Sequence, residues 1–456
     1  MPVADLDDIP VKDAVEYACR DADATLRINP ILDRRIDEMG LRGCYEMDLA
    51  VVPMVERMHS VGMLVDRRHL VELDSYLTDL MALEVQAVRK IVGVEINPNS
   101  PPQVAALLFE KLKLKPRKRT PTGMNSTQDK VLEAMRNEHP VVGHIIKYRE
   151  YGTYRDDFCL KMVRLLDEDG RIHPNLGLTR VSSGRLNCKE PNLLGIPVRE
   201  EMGKLLRSGF VAGPDKTYGS WDLNQIEMRE MAHQSRDPVL ISRFENDEDI
   251  HAATAADVFG KRLEDVSATE RYAAKRIGFG VITGITEIGL AEQMALAGAE
   301  GWDEQSCGCA IRDYFGIYKY VLQFLHDCRA EARRYGYVRD RWGRIRYLPG
   351  VHSDLKWIRA EAERQSHSFK ISASAQGVLK KSMAQIWEWW KSDGILGQVE
   401  PLLQVHDELL LEVDDDKEFC EYVDTGMLHF LCNTTKLRVP IKAKGSYGPD
   451  WGSLKD

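Results

Sequence analysis

Hydrophobic positions recur with a helical spacing over most of the chain. From Tyr45 to about Val85 the spacing predicts helices that are broken at Gly62, and residues 248–350 and 355–390 also favour helices. Strand patterns are fewer. The segment "KTYGSWDLNQIEMREMAHQS" predicts a strand that runs into a helix, with Asp222 at the junction.

The apolar run "LLQVHDELLLEV" (402–413) is interrupted by His406, Asp407 and Glu408. Burying a carboxylate without a partner is costly, so adjacent acidic residues in such a run need an explanation. Two interpretations stay open from these residues alone. The three residues are the polar tip of a tight β-hairpin, or they belong to a metal site that has a further carboxylate elsewhere in the chain.

Asp222 is the natural partner for Asp407, because each lies at the end of an apolar strand and the chain between them is long enough to bring the strands together. Two carboxylates that hold two divalent cations about 4 Å apart form the arrangement used for phosphoryl transfer, and Mg²⁺ prefers such oxygen ligands. Taken alone, an Asp that caps the following helix is the simpler explanation of Asp222.

A third segment, "ERYAAKRIGFGVITG" (270–284), strengthens the interpretation as a metal site for phosphoryl transfer. On a helix, one stripe would carry the residues that recur every four positions, namely Arg271, Lys275, Phe279 and Thr283. Two cations could hold a triphosphate while the ring packs on a base, although an ordinary amphipathic helix with solvated cations has the same pattern. Close approach of another part of the molecule is indicated by three residues that are costly inside a helix: Gly278, Gly280 and Gly284.

Length, composition and charge restrict the class of protein and the partners that it can have. A chain of 456 residues is too long for one ordinary core, and no apolar run approaches the roughly 18 residues that span a bilayer, so we expect a soluble intracellular protein with no membrane partner. The net charge of −9 argues mildly against nucleic-acid binding, yet basic residues cluster in "KLKLKPRKRT" (111–120). Such a loop suits contact with a phosphate backbone, or is merely a solvated surface.

Together these segments resemble the polymerase part of a family A DNA polymerase, of the bacterial DNA polymerase I type. "WDLNQIEMR" is similar to motif A, "RYAAKRIGFGVITG" to motif B and "LLQVHDELLLEV" to motif C, in the right order, and the similarity extends from about residue 10 to the C-terminus. The resemblance implies an α+β right-hand fold with palm, fingers and thumb subdomains, mainly helical with an antiparallel palm sheet.

The resemblance also implies boundaries along the chain. We expect 1–40 to be a remnant of a 3′-5′ exonuclease domain, 41–165 the start of the palm and the thumb helices with a basic tip, 166–234 the palm with motif A, 235–350 the fingers with motif B, and 351–456 the palm with motif C and the C-terminus.

The resemblance assigns metal and nucleotide roles to particular residues. Asp222, Asp407 and the Leu223 carbonyl would hold two Mg²⁺ ions, with Mn²⁺ as an alternative, and Glu408 would be an accessory carboxylate. The dNTP would be bound by Arg271, Lys275, Phe279, Glu227, His251 and Thr283. Within that group, Lys275 would act as general acid for the leaving pyrophosphate and Glu227 would exclude a ribose 2′-OH.

Four further residues would contact DNA according to the resemblance. Arg185 and Arg364 match residues that contact the minor groove and the backbone, His406 would touch the primer terminus, and Gln404 would lie near the template. Each has a simpler explanation, for example a surface arginine held in a salt bridge.

The sequence departs from the family pattern at four positions. Thr283 stands where a Tyr is usual, which leaves either a looser base-pair pocket or a Glu227 without its usual hydrogen-bond partner. Gly278 replaces an Asn, and Ser368 and Ser372 in "SFKISA" replace side chains that sense the minor groove. We therefore predict that mismatches are tolerated more than in the family norm, and a misincorporation assay showing ordinary error rates would count against this.

Near the N-terminus, "VEYACRDADATLRI" (15–28) resembles the last motif of the family's exonuclease, with Tyr17 and Asp21 at the usual spacing. The other exonuclease carboxylates would lie upstream, so we expect no proofreading by this chain alone, because one remaining carboxylate cannot hold two metals. Two explanations stay open: the exonuclease is on a separate subunit, or the sequence is a piece of a longer chain. A processivity factor is a further candidate partner.

The sequence thus predicts a monomeric enzyme that extends primers on template DNA with dNTPs, in replication or repair, in the cytoplasm of a bacterial or phage-infected cell. Three alternatives stay open. One is a single-subunit RNA polymerase, against which Glu227 argues. Another is a primer-template-binding scaffold with a decayed site, against which the intact Asp222 and Asp407 argue. The third is a two-metal nuclease, in which a triphosphate-facing helix would have no purpose.

Overall fold

The computed structural model describes residues 10–197, 201–299 and 301–454. Helices dominate this part of the chain, as the hydrophobic spacing predicts. Their bounds are α1 Val11–Glu38, α2 Arg42–Val61, α3 Arg67–Val92, α4 Pro101–Ala105, α5 Asp129–Glu133, α6 Pro140–Thr153, α7 Lys161–Arg164, α8 Glu201–Arg207, α9 Ile226–Ser235, α10 Pro238–Glu245, α11 Ile250–Phe259, α12 Ala268–Thr283, α13 Glu287–Leu296, α14 Glu304–Ile317, α15 Lys319–Tyr335, α16 Lys356–Ser392 and α17 Lys417–Asn433. The segments Ala106–Lys111 and Tyr154–Leu160 are wound as π-helix.

The strands are short and antiparallel. Their bounds are β1 Met63–Leu64, β2 Arg171–Ile172, β3 Asn175–Gly177, β4 Asn187–Lys189, β5 Lys216–Leu223, β6 Tyr337–Arg339, β7 Ile345–Tyr347, β8 Val399–Val405, β9 Glu408–Asp414 and β10 Ala443–Gly448. Four of them form the main sheet in the order β10-β5-β9-β8, and the others pair as β1-β2, β3-β4 and β6-β7. The expected α+β fold with an antiparallel sheet is therefore confirmed.

Helices cover both faces of the main sheet. Successive side chains of a strand point to opposite faces, so one strand contributes to the cores on both sides. Leu409, Leu411 and Val413 of β9 pack into a core with residues of α2, α16 and α17. Leu410, between them, packs instead with residues of α3 and with Phe210. Burial on both faces explains why Leu409, Leu410 and Leu411 form a continuous apolar run that does not alternate with polar residues.

A separate helical core surrounds α12. Ile277 and Val281 of α12 are buried there with residues of α9, α10, α11, α13, α14 and α15. The helix begins at a capping box, in which the Ser267 hydroxyl accepts from the Glu270 N–H (3.2 Å) and the Glu270 carboxylate accepts from the Ser267 N–H (2.9 Å). It ends at Gly284, in the left-handed region with φ 77°.

The basic run lies mainly on a loop, as predicted. Residues 112–128 connect a π-helical segment to α5 and contain a single bridge, between Arg119 and Asn125. Arg117 in this loop pairs with Glu138 (3.1 Å). Lys115, Lys118 and Arg119 are exposed, so a cluster of positive charge faces solvent at this place.

The first helix presents apolar side chains to solvent. In α1, Val11 is 80% exposed, Tyr17 63% and Leu26 74%. The interpretation of 1–40 as an exonuclease remnant stays a prediction, and residues 1–9 lie outside the described part. Among the described helices, none is both long and apolar enough to cross a bilayer.

Candidate active site

The tip of the β8-β9 hairpin is a two-residue turn made of His406 and Asp407. β8 ends at Val405 and β9 begins at Glu408, so the hairpin that the apolar run predicted is present. His406 adopts a left-handed backbone conformation with φ 54°, which is uncommon for a residue other than glycine. The Gln404 side-chain amide donates to the His406 carbonyl and supports this turn.

The register of the sheet brings Asp222 and Asp407 to neighbouring positions. Asp222, the penultimate residue of β5, is directly opposite Glu408 in the antiparallel pair. The Leu223 N–H donates to the Asp407 carbonyl (3.1 Å). Residues that face each other across antiparallel strands have Cβ atoms about 4.5–5.5 Å apart, so the carboxylates of these residues gather at one end of the sheet.

The three carboxylates differ in exposure. Asp222 and Asp407 are partly exposed, whereas Glu408 is 3% exposed and accepts a hydrogen bond from the Ser220 hydroxyl. Ser220 is two residues before Asp222 on β5, and hence on the same face of the strand. A buried polar group needs such a hydrogen bond, so Ser220 satisfies one oxygen of the Glu408 carboxyl group.

A cavity of about 340 Å³ adjoins Asp222. Its lining is polar and carries both signs of charge: Asp222, Asn224, Gln225, Arg229, Phe244, Asp247, Glu248 and Lys442. Across it, Lys442 forms an ion pair with Asp247 (2.6 Å).

The predicted stripe of α12 is present, and each of its members has a different environment. Arg271 forms an ion pair with Asp249 (2.8 Å), which also caps the N-terminus of α11. Lys275 is half-buried. The Phe279 ring lies 5.7 Å from the ring of His251. The sequence reasoning missed Asp249, although an Asp before a predicted helix is a capping signal that could have drawn attention to it.

His251 is 3% exposed. Burial, together with the positive charge of Lys275, lowers the pKa of His251 to about 4. The imidazole is therefore neutral at neutral pH, and it can act towards a ligand as a hydrogen-bond donor or acceptor but not as a cation.

The glycines of α12 have different causes. A Cβ on Gly280 would lie 2.7 Å from the Ile285 side chain, and one on Gly284 would lie 2.5 Å from Cγ of Arg364. A Cβ on Gly278 would make only an ordinary contact with Met228 at 3.5 Å. The close approach that the sequence indicated therefore occurs at Gly280 and Gly284 and not at Gly278.

Glu227 lies in the first turn of α9, and its Oε1 accepts two hydrogen bonds. Nη2 of Arg185 donates at 2.7 Å, and the Ser372 hydroxyl also donates at 2.7 Å. Thr283 takes no part, because its hydroxyl donates to the Gly280 carbonyl (3.0 Å) within its own helix. Thus Glu227 has partners, but Thr283 is not one of them.

The remaining predicted DNA contacts are spread over the molecule. Arg364 on α16 pairs with Glu361 one turn earlier, as a surface arginine would. His406 is exposed at the hairpin tip, whereas Gln404 is 1% exposed and its Oε1 has no partner among the described residues.

Within the described part of the chain, one group of three acidic or histidine side chains has the spacing of metal ligands. Ligand atoms of Asp167, Asp169 and His173 lie within 4.8 Å of one another. These residues flank β2 and include none of the predicted metal ligands. Asp167 is also 71% exposed, and exposed acidic groups commonly lie together without an ion.

The structure resembles a solved polymerase domain over nearly its whole length. The POL domain of Pol1 from M. smegmatis, in complex with DNA primer-template and dNTP, matches with a TM-score of 0.86 and 30% sequence identity, covering 94% of this chain and 74% of that one. The fold is therefore that of a DNA polymerase I polymerase domain, as the resemblance implied.

Residues 67–453 match the family model for DNA polymerase family A, and the chain belongs to this family. DNA polymerase I of Pseudomonas aeruginosa is 34% identical over 450 residues, which are 98% of this chain and 48% of that protein. DNA polymerase I of Geobacillus stearothermophilus is 33% identical over 414 residues, 90% and 46% respectively. The chain spans about half the length of the curated relatives it matches.

Proposed function

We propose that this chain is a DNA-directed DNA polymerase, which adds dNTPs to the 3′-OH of a primer as a template directs and releases pyrophosphate, in DNA replication or repair. The observation that carries the proposal is the strand register that puts Asp222 beside Asp407 in a member of DNA polymerase family A. The complex of the M. smegmatis relative with primer-template and dNTP supports the choice of substrates.

The acidic end of the sheet suits divalent cations with a preference for oxygen. Asp222 and Asp407 are partly exposed and adjacent, and the Leu223 carbonyl would add a third oxygen, so Mg²⁺ or Mn²⁺ fits better than a metal that prefers sulfur. Two such ions would lower the pKa of the primer hydroxyl and neutralise the charge on the departing phosphates. Glu408, which is buried beneath the hairpin tip, would be an accessory carboxylate behind Asp222 and Asp407.

The cations of α12 would bind the triphosphate. Arg271 would exchange its partner Asp249 for the phosphates, and Lys275 would donate a proton to the leaving pyrophosphate. His251, neutral because it is buried, would donate a hydrogen bond. Phe279 would stack on the incoming base, with Thr283 one turn further along the same helix.

Contacts with the sugar and the DNA would involve the other predicted residues. Glu227 would exclude a ribose 2′-OH, Arg185 and Arg364 would contact the minor groove and the backbone, and His406 and Gln404 would lie at the primer terminus and the template.

Subdomain roles follow the same assignment. The fingers would be 235–350, which contain α12, and the thumb would lie within 41–165 with the basic loop at its tip. The palm would contain the main sheet, from 166–234 and 351–456. We infer that the chain acts as a monomer.

The decisive experiment is primer extension on a recessed template with Mg²⁺, supplied with dNTPs or with rNTPs. We expect dNTPs to extend the primer to the end of the template, EDTA to abolish extension, and rNTPs to be used poorly. Efficient extension with rNTPs would favour an RNA polymerase. No extension with any nucleotide, although the primer-template is bound, would favour the binding scaffold.

A further inference from the structure

Three separate parts of the chain meet at the Glu227 carboxylate. Glu227 is on α9, Ser372 is near the middle of α16, and Arg185 lies in the loop before β4. Both donors bind the same oxygen, Oε1, at 2.7 Å. The Glu227 side chain is only 19% exposed, so few solvent molecules compete for it.

The two donors have different effects on the carboxylate. Arg185 supplies a positive charge on a long side chain, whose Nε has no partner among the described residues. Ser372 supplies a hydroxyl on a single-carbon side chain, anchored in a 37-residue helix. A short side chain on a rigid element fixes the position of its partner more closely than a long one does.

Ser372 is one of the positions at which this chain departs from the family pattern, and Thr283 is another. Because the Thr283 hydroxyl donates to its own helix, the orientation of Glu227 depends on Arg185 and Ser372. We propose that Ser372 is a positioning residue, which holds the Glu227 carboxylate in the orientation that rejects a ribonucleotide. The inference rests on the proposed polymerase function and on the proposed role of Glu227.

With both hydrogen bonds, rotation of the carboxylate would break at least one of them, so the group resists displacement by a ribose 2′-OH. Without the Ser372 hydroxyl, the carboxylate turns about its remaining bond to Arg185 and makes room. A deoxyribose has no group at this position, so dNTP insertion changes little.

The test compares single-nucleotide insertion of an rNTP and the matching dNTP, as the ratio of their kcat/KM values. Ser372→Ala should raise the rNTP/dNTP ratio about tenfold, the effect of losing one hydrogen bond to a carboxylate. Ser372→Thr, which keeps the hydroxyl, should restore the ratio. If Ser372→Ala lowers the Tm, Ser372→Cys gives the same comparison with a poor donor and little change in volume.

Ser366→Ala is the matched control. Ser366 is on the same helix and its hydroxyl donates only to the Glu363 carbonyl (2.7 Å) of that helix, so its loss should leave the ratio unchanged. A structural disturbance of α16 would move both variants together and would not be reversed by Ser372→Thr.

The other outcomes distinguish failure of the proposed role of Ser372 from failure of the two proposals on which that role depends. A ratio in Ser372→Ala within twofold of the wild type, while Glu227→Ala raises it, overturns the role of Ser372 alone. A ratio unchanged in Glu227→Ala overturns the role of Glu227 and the inference with it. Failure of the wild type to insert dNTPs overturns the proposed function.

Discussion

Burial decides how the individual charged residues of the site behave. Glu408 and His251 are both about 3% exposed, yet the carboxylate has the Ser220 hydroxyl as a donor whereas the imidazole loses its charge. Asp222 and Asp407 stay partly open to solvent. The carboxylate side chains that we propose to bind metal are therefore the accessible ones, and the buried Glu408 supports them.

Residues recognised from the sequence are those with a local signal. Asp222 lies at a strand end, and Arg271 and Lys275 share a helical stripe, so their spacing alone is enough to predict them as site residues. The partners of Glu227 have no local signal, because Arg185 is 42 positions away and Ser372 is 145. The Ser372 contact depends on the packing of α16 against α9, which no short segment specifies.

His367 provides a prediction about pH. It is 0% exposed, and its Nδ1 lies 3.0 Å from the Ile282 carbonyl, to which it donates as a neutral ring. Burial and the charge of Arg329 lower its pKa from 6.5 to about 4. The unfolded chain thus binds more protons than the folded one between pH 4 and 6.5, so stability falls as the pH drops through that window.

Between pH 7 and pH 5 the contribution of His367 to this loss is about 2 kcal/mol, because one pKa unit corresponds to about 1.4 kcal/mol. His367→Gln removes the titrating group, so its free energy of unfolding should fall by about 2 kcal/mol less than that of the wild type. Urea unfolding at the two pH values measures this. Equal losses in the two proteins would show that His367 titrates normally in the folded state.

At the scale of elements, the glycines of α12 show that a composition signal can predict close packing correctly at some positions of a helix and wrongly at others. The sequence predicts close approach at all three glycines, but Gly280 and Gly284 make close contacts and Gly278 does not. The sequence cannot separate them, because the difference depends on Ile285 and Arg364, which reach these positions through the folded chain. The helix itself, its capping box and its cationic stripe can be predicted from local patterns.

The C-terminus of α12 allows a matched pair of substitutions. Gly284 and Gly260 both end a helix in the left-handed region, with φ 77° and 62°. A Cβ at Gly284 would meet the Arg364 side chain at 2.5 Å, whereas at Gly260 nothing lies within 4 Å.

Gly260→Ala should therefore cost only the strain of the left-handed conformation, about 1 kcal/mol. Gly284→Ala should cost about 2 kcal/mol or more, because Arg364 must also move. Thermal or urea unfolding of both variants checks the difference. Equal costs would mean that Arg364 adapts freely.

At the scale of the whole molecule, the net charge of −9 conceals a local excess of positive charge. The sequence identified the basic run and its loop, since charge and proline content are local properties. It did not foresee the apolar surface that α1 exposes, because exposure depends on what the rest of the molecule covers.

The basic loop predicts a salt dependence. Replacing Lys115, Lys118 and Arg119 by Gln should weaken primer-template binding and reduce the slope of log K against log salt by up to about 2.7, since each lost phosphate contact contributes about 0.9. The control replaces three exposed arginines of α1, Arg20, Arg27 and Arg34, and should leave the slope unchanged. Equal slopes in all three proteins would remove the loop from the DNA interface.

The central claim is that Asp222 and Asp407 act as one catalytic unit. Its most direct test is single-turnover dNTP insertion by Asp222→Asn, Asp407→Asn and the double variant, with Asp415→Asn, an exposed carboxylate after the far end of β9, as control. We expect each single variant to lose about 10³-fold or more in rate, the double variant to lose little further, and the control to match the wild type. Substantial insertion by either single variant, with a fold unchanged by circular dichroism, would contradict the account.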